Sequence, residues 1–281
     1  MKVLLIHTGG TIGMAKTRKG LAPREGLVEA AMDSRLPQGV SLVTHVFSPL
    51  LDSSDIGPAH WNEMLGAIEA IPDAAVIITH GTDTMSFTGA ALSQALAGSG
   101  RRIVLCGSMK PLNMKGDAEA NMDLAIECAL KPGEGVYLAF AGKVMRADGL
   151  VKHESHKADS FRNVPQDALS PAPRRRFAPQ RLAILTMSPG MPAGVLRAAL
   201  SELDGCVLRV YGSGTATSDA AVLQTIKDAV KSGKRIRAVS QCETGGLTPG
   251  SYAAGSGLWA AGVENGGKET PEAALIRLWL S

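Results

Sequence analysis

The hydroxyl- and charge-bearing residues of this chain collect in a few short segments with glycine beside them. In Thr8-Gly9-Gly10-Thr11-Ile12-Gly13 a threonine hydroxyl follows two glycines. Glycines let the backbone turn sharply, approach a ligand closely and present N–H groups to it. The spacing is not G-x-G-x-x-G and no Gly-Lys-Ser/Thr follows, so the segment is neither a dinucleotide fingerprint nor a phosphate-binding P-loop. In Thr79-His80-Gly81-Thr82-Asp83-Thr84-Met85 three hydroxyls and a carboxylate crowd one turn. A helix cap needs one side-chain oxygen, which Asp83 or Thr84 could supply; capping leaves the rest unexplained. An ammonium-bearing ligand would find its counter-ion in Asp83. His80, alone at a strand end, reads as hydrogen-bonded structure.

Two further segments carry polar clusters. Leu51-Asp52-Ser53-Ser54-Asp55 offers hydroxyls and N–H groups suited to a carboxylate, although a turn before Pro58 explains it better when taken alone. Arg146–His156 contains His153 and His156, but HESH lacks HExxH spacing and shows no third ligand, so zinc is not expected and both sit in an exposed loop. Lys152 follows Leu150 and Val151, and partial burial there would depress its pKa and make it usable as a base.

These segments must be held by elements that end where they begin. Val3–His7, Val40–Phe47, Ala75–Thr79, Arg102–Cys106 and Val136–Ala141 are nearly continuous apolar runs, the pattern of strands covered on both faces. Helical spacing recurs in Pro58–Ile71, Met85–Ala97 and Ala118–Leu130. Strand–helix alternation predicts a mainly parallel sheet, whose ligands bind at the carboxyl ends of the strands. Each chemical segment lies at such an end. The pattern breaks at Asn163–Arg181, rich in proline and arginine, then resumes with strands at Leu182–Met187, Cys206–Tyr211 and Ile236–Ser240 and helices at Ala193–Leu203, Ser218–Ser232, Ser251–Ala261 and Pro271–Leu280. The reading is an α/β protein: a larger N-terminal domain (1–162) with a parallel or mixed sheet flanked by helices, a linker (163–181), and a smaller C-terminal parallel α/β domain (182–281). Gly13–Gly26 shows no apolar periodicity and is expected to be a mobile lid over bound substrate.

Composition narrows the classes. Of 281 residues 45% are apolar, enough for a core without membrane help, and the net charge of +3 is too small to imply nucleic acid as partner. No apolar stretch approaches the roughly 18 residues of a membrane span. The N-terminal apolar run is too short for a signal-peptide core, and the four cysteines show no CxxC pair, so buried, reduced thiols in a cytoplasmic protein are expected.

TGGTIGM, SPLLDSSD, ITHGTDTM, GSMKP and ADGLVK, in that order, resemble the bacterial-type L-asparaginase family, its cytoplasmic, type I-like branch most of all. The similarity continues through YGSGTA and SQCETGG, so it spans nearly the whole chain. It implies hydrolysis of L-asparagine to L-aspartate and ammonia, with Thr11 attacking the side-chain amide and carrying the acyl intermediate. It implies that Lys152 draws the proton from Thr82 while Asp83 holds the lysine or the substrate ammonium. Asp52, Ser53 and Ser54, together with Thr82 and Asp83, would bind the amino-acid end of the substrate, and Ser108 would line the pocket around the leaving amide. No metal or organic cofactor is implied, and a homodimer or homotetramer is. Because Thr11 is internal, the chain is not an N-terminal-nucleophile hydrolase.

The chain departs from the family at Gly20-Leu21-Ala22-Pro23, where Leu21 stands in place of a tyrosine on the mobile loop, and at Thr215, where an asparagine is usual. It also ends at Ser281, earlier than most members. Three other readings stay open. The amide could be that of glutamine or of a larger molecule, as in the related tRNA-dependent amidotransferase subunit, which would be expected to carry an extra N-terminal domain. Asparagine and glutamine differ by one methylene, worth about 1–3 kcal/mol in a pocket. The missing tyrosine favours a sensor that binds aspartate or asparagine without turnover.

Overall fold

The computed structural model describes residues 1–281. The chain forms two compact units, one of residues 1–163 with 169–177, the other of 164–168 with 178–281. Residues 163–181 therefore contribute to each unit in turn.

The first unit is built on a six-stranded sheet. Strands β1 (Lys2–Gly9), β4 (Ser41–Leu51), β5 (Ala75–Thr79), β6 (Arg102–Cys106), β7 (Gly135–Phe140) and β8 (Lys143–Arg146) lie in the order β4-β1-β5-β6-β7-β8. The first five are parallel, and β8 turns back antiparallel to β7. In β1 every residue after Lys2 is buried, which is why its sequence does not alternate. Leu4, Leu5, Ile6, Val76, Ile77, Ile78, Ile103, Val104 and Leu105 form the floor of the core. Helix α2 (Pro58–Ala70) starts with proline at its first turn, where no N–H is needed, and buries Trp61, Met64, Leu65 and Ile68 along one face. Helix α3 (Met85–Ala95) is buried almost all round. Small residues allow this: a Cβ on Gly89 would stand 2.7 Å from the Ala147 carbonyl. Helix α4 (Ala118–Ala129) buries Met122, Ala125 and Ile126.

Several segments read as irregular are ordered. Gly13–Gly26 contains a hairpin of β2 (Met14–Thr17) and β3 (Gly20–Pro23), too short and too exposed to show apolar periodicity. Helix α1 (Leu27–Asp33) follows it and buries only Val28 and Met32. The polar stretch after β7 is not one loop. It holds β8 and then β9 (Leu150–Lys152), which pairs antiparallel with β10 (Phe161–Asn163).

The second unit is a four-stranded parallel sheet, β11 (Leu182–Thr186), β12 (Gly205–Val210), β13 (Arg235–Ser240) and β14 (Glu264–Asn265) in that order. Helices α5 (Ala193–Glu202), α6 (Ala220–Lys231), α7 (Ser256–Ala260) and α8 (Pro271–Leu280) accompany it. Asp219 caps α6 through Ala221 and Val222, and Thr270 caps α8 through Ala273. The helix expected over Ser251–Ala261 is shorter, a 3₁₀ turn at Ala253–Gly255 followed by α7. The α/β class, with a larger mixed sheet before a smaller parallel one, is as the sequence indicates. Cys106, Cys128 and Cys206 are buried free thiols, but Cys242 is exposed, because the chain has left β13 and entered a turn.

Candidate active site

Parallel strands end on one side of a sheet, so the order β4-β1-β5-β6 sets the segments after these strands next to one another. Their backbones then touch. A Cβ on Gly9 would fall inside the carbonyl of Leu51, and one on Gly10 would lie 2.5 Å from the amide nitrogen of Gly81. A Cβ on Gly81 would lie 2.6 Å from Ser53 Oγ. Gly9 and Gly10 have φ of +124° and +87°, a region that L side chains rarely adopt. Glycine is thus required twice over, for conformation and for contact. Thr11, partly exposed, opens a 3₁₀ turn (Thr11–Gly13) directly above this contact. The GSMKP segment is tied to the same turn, since Leu112 N–H donates to the Ile12 carbonyl at 3.2 Å.

Thr82, Asp83 and Lys152 form one cluster. Lys152 Nζ donates to Thr82 Oγ1 at 2.8 Å and to Asp83 Oδ1 at 2.6 Å. The lysine side chain is 17% exposed and that of Asp83 69%, so the amine is largely enclosed while its counter-ion meets solvent. Two packing contacts place Lys152. Strand β9 lies against α3 at Gly89, where Leu150 also touches. In addition Lys152 pairs with Phe161, a buried ring that packs edge-on against Phe140 at 5.1 Å.

Capping does not account for the THGTDTM turn. Thr84 is the N-cap of α3 without a side-chain cap, and its hydroxyl donates instead to the Ser53 carbonyl at 2.5 Å. The Asp83 carboxylate faces the lysine.

Asp52 does serve a turn. It caps the 3₁₀ turn Ser53–Asp55, accepting from Ser54 N–H at 2.9 Å and Ser54 Oγ at 2.8 Å, and these bonds hold its carboxyl below the usual range. Ser53 is buried against Gly81, and Ser54 is exposed. Ser108 is buried, and its hydroxyl donates to the Lys110 carbonyl at 2.6 Å. Asp117 clamps that loop from the start of α4, accepting from Met109 and Lys110 N–H, and Asn121 donates to the Gly107 carbonyl. Asp117 and Asn121 had no distinguishing signal in the sequence beyond a Gly-Asp pair before a helix. His153 and His156 are exposed, and no group of three or more His, Cys, Asp or Glu could hold a metal ion.

Two buried histidines flank the strand ends that lead into the threonine segments, His7 inside β1 and His80 just after β5. His7 Nδ1 lies 2.7 Å from Thr79 Oγ1, and burial lowers its pKa. His80 is fully enclosed, and burial lowers its pKa to about 4. In the unfolded chain His80 binds a proton near pH 6.5, so the unfolded state takes up that proton first as the pH falls. The resulting stability is present above pH 6.5 and is lost between there and pH 4, by about 3 kcal/mol from this group. His7 acts in the same direction. Urea unfolding at pH 7 and pH 4.5 checks this: the midpoint should fall markedly at the lower pH, and less in His80→Gln measured alongside.

The family described as "Asparaginase, N-terminal" matches residues 2–178, and "Glutaminase/Asparaginase C-terminal domain" matches residues 181–281. L-asparaginase 1 of Escherichia coli (strain K12) is 31% identical over 304 residues, covering 98% of this chain and 90% of its own. The structure of the thermostable L-asparaginase from Thermococcus kodakarensis superposes with a TM-score of 0.87 at 30% identity, covering 100% of this chain and 92% of that one. L-asparaginase I from Vibrio cholerae gives a TM-score of 0.85 at 29% identity, with 99% and 92% covered. The chain belongs to the L-asparaginase family of amidohydrolases, type I.

Proposed function

We propose that this protein is an L-asparaginase that hydrolyses L-asparagine to L-aspartate and ammonia through an acyl-enzyme on Thr11. The observation that carries the reading is the Thr82–Lys152–Asp83 cluster, set beside the Thr11 turn by the contact of Gly10 with Gly81. Thr11 Oγ attacks the side-chain amide carbon, the C–N bond breaks, and ammonia leaves with the proton. Water then cleaves the ester and releases aspartate. An unassisted threonine hydroxyl is a poor nucleophile and needs a base and a polarised surrounding. Lys152 supplies the base once its amine is neutral: it draws the proton of Thr82 as Thr82 takes that of Thr11, the proton passes on to the leaving ammonia, and Asp83 holds the lysine or the substrate ammonium. Backbone N–H groups near Thr11 and Thr82 stabilise the oxyanion, each worth about 3–4 kcal/mol. Asp52, Ser53 and Ser54 receive the carboxylate and amino ends of the substrate, and Ser108 walls the leaving amide. The reaction needs no metal or organic cofactor. The protein works in the cytoplasm as a homodimer or homotetramer.

Ammonia release from asparagine and glutamine tests the reading. Turnover of asparagine is expected. Aspartate binding without turnover would favour the sensor reading, for which the exposed Leu21, in place of the family tyrosine, is the one supporting observation. The β2–β3 hairpin carries Lys16, Arg18, Lys19 and Leu21 and is mostly exposed, as suits a lid. Limited proteolysis should cut it more slowly in the presence of aspartate. Equal cleavage in the two conditions would count against closure.

A further inference from the structure

His80 takes no part in the steps above, yet it is the most enclosed titratable group beside them. Its Nδ1 lies 2.6 Å from the Gly81 carbonyl, and its Nε2 lies 2.9 Å from Thr88 Oγ1. A carbonyl oxygen only accepts, so Nδ1 carries the proton. The ring is neutral, because full burial disfavours the charged form. Nε2 therefore accepts, and the Thr88 hydroxyl donates to it. That hydroxyl in turn receives the indole N–H of Trp61 at 3.0 Å. The chain Trp61→Thr88→His80→Gly81 thus runs in one direction from α2 through α3 to the turn that bears Thr82. The Gly81 carbonyl sets the tautomer of His80, the Thr88 hydroxyl supplies the donor that Nε2 then needs, and the indole N–H, a donor only, takes a lone pair of that hydroxyl.

We propose that His80 is a positioning residue: its Nδ1–H holds the Gly81 carbonyl, fixing the Gly81–Thr82 peptide so that the Thr82 hydroxyl meets Lys152, with the Thr88 hydroxyl supporting that tautomer by donating to Nε2. Gly81 has no side chain of its own to anchor it, and its amide side is pressed on Gly10. The carbonyl side is therefore where its orientation can be set. If His80 took the other tautomer, the Nδ1 lone pair would face the carbonyl oxygen and the peptide would turn away. This inference rests on the asparaginase reading for its consequence in turnover, but not for the tautomer itself.

Thr88→Val, Thr88→Ser and Trp61→Phe test it with asparagine as substrate. Thr88→Val removes the donor to Nε2 and is expected to lower kcat about 10- to 100-fold while KM changes less than about threefold. Thr88→Ser keeps the hydroxyl and should return kcat to within about threefold of the parent. Trp61→Phe leaves Thr88 able to donate and should cost about threefold. A Thr88→Val enzyme with parental kcat, or Thr88→Ser and Thr88→Val equally impaired, would overturn the proposal. Long-range ¹H–¹⁵N NMR of the imidazole nitrogens in the parent protein gives a readout independent of turnover and of whether Thr88→Val folds. A neutral ring protonated at Nδ1 is expected, and one protonated at Nε2 would overturn the proposal. Failure of the parent to release ammonia from asparagine, with the Nδ1–H form seen, would remove the substrate reading and leave the positioning of Gly81 standing.

Discussion

Thr11→Ala should abolish turnover of asparagine, lowering kcat by about 10³–10⁴-fold or more. The side chain opens a 3₁₀ turn and is only partly buried, so its loss leaves little cavity and the fold should be retained. The effect is then chemical. Thr11→Ser keeps a hydroxyl on the same backbone and should retain measurable activity. Steady-state ammonia release, with circular dichroism and a melting curve on each variant, checks the result. Substantial activity in Thr11→Ala would remove the proposed nucleophile, and Thr82, already bonded to Lys152, would be the next residue to test.

The second large effect is expected at Lys152. Lys152→Met removes the amine that bonds Thr82 Oγ1 and Asp83 Oδ1 and should lower kcat by about 10²–10⁴-fold. Its effect on stability should be small, under about 1 kcal/mol, because the Asp83 carboxylate left behind is mostly in water. Lys152→Arg separates two roles of the amine. A guanidinium keeps the positive charge but does not release a proton in proteins. If Lys152 acts as a base, Lys152→Arg should be nearly as impaired as Lys152→Met. If it acts only through charge, Lys152→Arg should recover much of the activity. Rates of the two variants side by side, each with its denaturation midpoint, distinguish the cases.

The fold was legible where burial is complete. Strands such as β5 and β6, with no exposed residue, carry nearly uninterrupted apolar sequence, and their bounds follow from it. The strands at the edges do not. β2, β3 and β8 are four residues long and at least half exposed, and β9 is only three residues long, so nothing in their composition separates them from loops. Helix α1 buries two residues and gives too little periodicity to detect. The polar residues at strand ends could be found from type and position, since Thr11, Ser53 and Thr82 each follow a parallel strand. Lys152 could not be placed by the same logic. It is brought to Thr82 by β9, an element invisible in the pattern, and by the close approach of α3 at Gly89. The resemblance supplied its role before any spacing did. The Asp117 and Asn121 clamp on the Ser108 loop escaped because carboxylates and amides at a helix start are the commonest of surface features.

The close seating of Gly9 and Gly10 on the backbones of Leu51 and Gly81, and of Gly81 on the Ser53 side chain, bears on how this protein can change. A substrate pocket usually diversifies by swapping the side chains that line it. At these three glycines there is no side chain to swap: the segments meet in contact, and a carbon added at any of them would push its neighbour. On the proposed function, variation in what the site accepts enters from its rim, taken as the hairpin around Leu21 and the loop bearing Ser108, while the glycines stay as they are. A library confined to those two rims should yield altered amide preference far more often than one of equal size directed at the glycines, most of whose members should fail to fold.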